Sequence, residues 1–84
     1  MKRKELISDL KKIVKPYVQD EEALENISEE SDFIKDLKIN SANLIDIILD
    51  VEKEYDIDID DQSMEKMITI GAAIDIITAK MDKK

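Results

Sequence analysis

The stretch that decides the fold runs Asn40-Ser41-Ala42-Asn43-Leu44-Ile45-Asp46-Ile47-Ile48-Leu49-Asp50-Val51-Glu52-Lys53-Glu54-Tyr55-Asp56. Placed on a helical wheel at about 100° per residue, Leu44, Ile47, Ile48, Val51 and Tyr55 share one arc of roughly 100°. A single stripe of that width is what a helix needs to pack on a core. Asn40 or Ser41 can cap its start, because either side chain can accept from a free backbone N–H. A helix from about Ser41 to Tyr55 follows. Ala42, Ile45 and Leu49 form a second apolar arc, set off by Asp46, Glu52, Lys53 and Asp56. A small bundle cannot easily bury both faces of one helix. Ile45 and Leu49 are therefore expected to stay exposed within a ring of carboxylates, as a docking surface does.

Outward from this segment, Leu6, Leu10, Ile13, Val14 and Tyr17 recur at helical spacing and predict a helix over residues 3–15, ended or kinked at Pro16. Residues 19–32 are polar and acidic and read as a long loop, with Ala23, Leu24 and Ile27 as plugs into the core. Phe33, Ile34 and Leu37 predict a short turn docked on the bundle. Residues 56–60 alternate Asp and Ile, but five residues without a partner strand make a connector. Residues 61–67 predict a short helix, with Met64 and Met67 as core or gap fillers. Thr69 can cap a last helix carrying Ile70, Ala73, Ile74, Ile77 and Met81. The expected fold is all-α: a small helical bundle, three main helices plus one short helix, with a long first loop, in a single domain over residues 1–84.

Bulk composition narrows function. The chain has 84 residues, 43 % hydrophobic and 40 % charged, with one Gly and one Pro. Such a chain buries only about 60–65 % of its unfolded surface, which leaves little room for an enclosed catalytic cavity. It has no Cys and no His. Disulfides, thiolate chemistry and the usual neutral-pH base are thereby excluded. A net charge of −8 argues against nucleic acid and favours basic partners. The charge is uneven: Lys2, Arg3, Lys4, Lys11, Lys12 and Lys15 make the first fifteen residues net positive, and residues 42–61 are strongly acidic. No run of about 18 apolar residues could span a membrane, and the basic N-terminus lacks an apolar signal core. A cytoplasmic monomer is the expectation. Asp56, Asp58 and Asp60 match the opening of a calcium loop, but Asp61 and Met67 stand where such a loop needs Gly and Glu. A solvated acidic face is expected there, and no metal site.

Ser41 on its own reads as a helix cap. The longer pattern resembles the acyl carrier protein family. Asp36-Leu37 precedes Asn40-Ser41-Ala42 at the family's spacing, and Glu52-Lys53-Glu54-Tyr55-Asp56 closes the helix without gaps. Phe33 fits the family's loop aromatic, and Ile57-Asp58-Ile59 with Thr69 to Ile77 fits its last loop and helix. The resemblance is strong over about residues 33–77. It implies a carrier, not an enzyme: Ser41, beside Asn40, would bear a covalent 4'-phosphopantetheine taken from coenzyme A, whose thiol holds acyl intermediates as thioesters for fatty-acid or related biosynthetic enzymes. The thiol belongs to the cofactor, so lacking Cys is no obstacle. A helix N-terminus suits a phosphodiester through its free N–H groups and positive dipole end. The resemblance also implies a phosphopantetheinyl transferase and acyl-processing enzymes with basic surfaces as partners, docking on Ala42, Ile45, Asp46, Leu49 and Glu52. Leu44, Ile48, Ile59 and Ile74 would line an acyl pocket. Three departures from the family pattern stand out. Asn40 replaces the usual Asp, Ala42 the usual Leu, and Lys53 an acid. The alternative is a helical interaction module without a prosthetic group, with Ser41 only a cap. The nature of the cargo is not written in the sequence.

Overall fold

The computed structural model describes residues 2–82; residues 1, 83 and 84 of the expected 1–84 domain lie outside the described residues. Among the described residues five α-helices follow one another: α1 (Arg3–Val14), α2 (Glu21–Glu25), α3 (Ser41–Tyr55), α4 (Asp61–Lys66) and α5 (Ile70–Asp82). A single 3-10 turn, Lys15–Tyr17, extends α1 and carries Pro16 in its first positions, where a missing N–H costs nothing. No strand forms among the described residues.

Three long helices supply the core. Leu6, Leu10 and Val14 face inward from α1, Ile47, Ile48, Val51 and Tyr55 from α3, and Ile70, Ala73, Ile74 and Ile77 from α5. Each set repeats every three or four residues, so each helix buries one stripe. Between them sit Phe33, Leu37, Ile39 and Met67, all essentially inaccessible. Among the described residues no polar or charged residue is fully buried, and no buried side-chain polar atom lacks a partner. The core is therefore held by apolar packing, which stabilises by roughly 1.5–3 kcal/mol per fully buried aliphatic or aromatic side chain.

Two expectations need correction. Residues 19–32 are not a plain loop, because they contain α2. The Asp20 carboxylate accepts from the backbone N–H of Glu22 and Ala23 at 3.0 and 3.3 Å. Glu21 and Glu22 then suit the positive end of the helix, and Leu24 anchors it by burial. Ile34 does not dock on the bundle with its neighbours Phe33 and Leu37; it is exposed. The Asp32 carboxylate takes the N–H groups of both Ile34 and Lys35, at 2.8 and 2.9 Å, and this tight turn sends Phe33 inward and Ile34 out. The same bonds, Lys35's first, hold the Asp32 carboxyl below the usual carboxylate range.

The long connection between α2 and α3 is tied to the start of α5. Phe33 N–H donates to the Ile68 carbonyl at 3.0 Å, Ile70 N–H to Ser31 at 2.9 Å and Gly71 N–H to Glu29 at 2.8 Å. Arg3 completes the knot from α1, with its guanidinium on Glu29 and, at 2.9 Å, on Asp75 of α5. The connection is thus pinned at Glu29, Ser31 and Phe33, and it delivers the chain to the tip of α3.

Candidate functional site

The tip of α3 is built by Asn40. Its backbone is extended, and its side-chain oxygen accepts from the Ala42 N–H at 2.9 Å. Asn40 is therefore the cap, and Ser41 becomes the first helical residue. Its hydroxyl is not needed to cap the helix, and Ser41 is exposed. No acidic residue stands in the first turn, and the dipole end favours an anion. The chemistry of the position fits a phosphodiester on the Ser41 hydroxyl.

Down the outer face of α3 the two aliphatic residues of the second arc are open: Ile45 is 53 % and Leu49 48 % exposed. Ala42 and Asp46 are exposed beside them. Glu52 lies at the end of this strip but is only half-exposed. Its Oε2 accepts from the Ile59 N–H at 2.9 Å, so the carboxylate bridges to the 56–60 connector. Fully burying Ile45 and Leu49 against a partner would contribute on the order of 1.5–3 kcal/mol each.

On the flank of α3, a shallow cleft of ≈ 410 Å³ opens between this helix and α4, lined by Leu44, Ile45, Ile48, Asp61, Met64 and Glu65. Leu44 is half-buried there, packed against the edge of the core but not enclosed in it as the wheel places it; it sits in the first turn of α3 and lines the cleft. Ile48 is buried and forms the floor. Ile59 and Ile74 are buried in the core and do not line the open cleft. Met64 does line it, though the sequence reads this residue only as core or filler.

The remaining polar pairs brace the helices. Tyr55 donates to Asp9 at 3.0 Å and Tyr17 to Asp50 at 3.4 Å, which ties α1 and its extension to α3. Burial first, and then the neighbouring Asp charges, push both phenols up. Among the described residues no cluster of three or more potential ligands could hold a metal ion, and no helix is long and apolar enough to cross a membrane.

Residues 10–77 match the family model for a phosphopantetheine attachment site. The whole chain aligns with the acyl carrier protein of Coprothermobacter proteolyticus, 33 % identical over 84 residues and 100 % of both chains. The chain belongs to the acyl carrier protein family. The acyl carrier protein of Thermotoga maritima is 32 % identical over 94 % of this chain and 95 % of its own. The crystal structure of the Thermotoga maritima protein superposes with a TM-score of 0.83 at 31 % identity, covering 99 % of this chain and 94 % of that one. The solved structure of the Enterococcus faecalis acyl carrier protein gives a TM-score of 0.76 at 28 % identity, with 95 % of this chain and 99 % of that one covered. Like its family, this carrier is not a catalyst. It carries acyl intermediates for biosynthesis on a covalent 4'-phosphopantetheine, and it is served by a phosphopantetheinyl transferase and acyl-processing enzymes.

Proposed function

We propose that Ser41 is the attachment point and that α3 is the face partners read. The observation that carries this is the exposed Ser41 hydroxyl at a helix tip whose cap is already supplied by Asn40. Enzymes with basic surfaces would meet Ala42, Ile45, Asp46 and Leu49, with Glu52 at the far end. The aliphatic pair gives affinity, and the acids raise association rate and select positive surfaces. An acyl chain would lie in the cleft over Ile48, beside Leu44, with Ile59 and Ile74 in the core wall behind. In this reading the carrier works as a monomer in the cytoplasm.

The test is intact mass after incubation with coenzyme A and a broad-specificity phosphopantetheinyl transferase. One phosphopantetheine is expected on the wild type and none on Ser41→Ala. Loading that survives Ser41→Ala would sink the assignment.

A further inference from the structure

Glu52 grips the connector between α3 and α4 at both of its ends. Its carboxylate Oε2 accepts from the Ile59 N–H at 2.9 Å, and its main-chain carbonyl accepts from Asp56 and, at 3.1 Å, from Ile57. The side-chain bond is charge-assisted and half-shielded from water, which makes it stronger than a neutral one. Ile59 is buried, and the next residue, Asp60, caps α4 by accepting from the Ser63 N–H at 2.7 Å. Holding Ile59 therefore fixes where α4 begins.

Helix α4 has little else to hold it. None of its residues is buried. Its other fastenings are the half-buried Met64, packed against the edge of the core, the buried Met67 just beyond its end and an exposed Lys80–Asp60 ion pair at 3.4 Å. Elements with few buried contacts open at low cost. Yet Met64 and Glu65 of this helix form the outer wall of the cleft, opposite Leu44, Ile45 and Ile48. Glu52 follows Ile48 by four positions and Ile45 by seven, so it stands on the cleft side of α3.

We propose that Glu52 is a positioning residue, whose carboxylate latches the 56–60 connector and α4 against α3 and so sets how firmly the cleft retains its cargo. This rests on the reading that the cleft shelters the acyl chain. Its role is thus distinct from serving as one more acid for a partner to meet.

Three variants separate the bond from the charge. Glu52→Ala removes the acceptor, Glu52→Asp keeps the charge but draws the acceptor back by one methylene, and Glu52→Gln keeps an oxygen at full length without the charge. Hydrogen exchange at the Ile59 amide, read by NMR on the unacylated protein, reports the latch. Hydroxylamine cleavage of the octanoyl thioester, relative to octanoyl-pantetheine free in solution, reports retention. Both rates should rise roughly tenfold in Glu52→Ala and several-fold in Glu52→Asp, and stay within about threefold of wild type in Glu52→Gln. Far-ultraviolet circular dichroism checks that each variant is folded; if the Ala form is not, the Asp form carries the test. An octanoyl group cut from the wild type as fast as from free octanoyl-pantetheine would overturn the sheltering reading, while Ile59 exchange would still read the latch. A sheltered wild type whose Ala and Asp variants shelter equally well overturns the latch, as does a Gln variant as leaky as the Ala form.

Discussion

Asn40 and Ser41 divide the work at the tip of α3, and the division is measurable. Asn40 holds the Ala42 N–H, so Asn40→Ala should cost about 0.5–2 kcal/mol. Ser41 is exposed and does not cap, so Ser41→Ala should change stability by less than about 0.5 kcal/mol while removing the hydroxyl proposed as the attachment point. Urea denaturation midpoints of the two variants check this, and equal losses would contradict the division. Gly71 gives a second test at the same scale. Helix propensity alone promises a gain of about 1 kcal/mol for Gly71→Ala. A Cβ there would lie 3.0 Å from the Glu29 carbonyl oxygen and 3.2 Å from Glu29 Cβ. The Gly71 N–H also donates to that carbonyl, so the two segments cannot part without losing a bond. A net loss of about 1–2 kcal/mol is expected in the same urea assay.

At the scale of the element, α3 is the informative helix because its two apolar arcs meet different surroundings. Ile47 faces the core and is fully buried, whereas Ile45 is open. Ile47→Ala should cost about 2–5 kcal/mol in thermal unfolding, and Ile45→Ala within about 0.5 kcal/mol. The first arc was legible from periodicity alone, since five aliphatic or aromatic positions on one face allow few other folds. The second arc was legible only as a surplus. The short elements were harder. A five-residue helix such as α2 offers too few turns for a period to appear, and it exists because Asp20 caps it and Leu24 is buried. Ile34 and Leu37 look alike in sequence; only the Asp32 turn tells which one points out.

For the whole molecule, the deciding quantity is charge. A net −8 would strain so small a body, and the strain is eased where carboxylates gain partners. The Ser63 hydroxyl and N–H, and then Lys80, hold the Asp60 carboxyl down at about 2. Arg3 draws Glu29 down as well, and the turn N–H groups do the same for Asp32. A carboxyl whose native pKa is depressed stabilises the fold above its unfolded value, near 4, and loses that contribution as pH falls through the native value. Stability of the wild type relative to Asp60→Asn should therefore be greatest above about pH 5, fall as pH drops towards 2, and be lost below it. Chemical denaturation at stepped pH reads this directly, and a difference that is flat across the range would contradict it. All three groups are exposed or half-exposed, so each effect is small and weakened by salt.

What the sequence by itself determined was the set of long helices, the inward stripe of each and the candidate serine, because these rest on spacing and cap chemistry within a few residues of one another. Only the tertiary structure decided that Asn40 and not Ser41 caps α3, that Glu52 reaches across to Ile59, that Met64 walls the cleft, and that Ile59 and Ile74 are buried and do not line it. Those outcomes join residues from separate elements, and their distances follow from how α1, α3 and α5 pack together. Local periodicity carries no information about that.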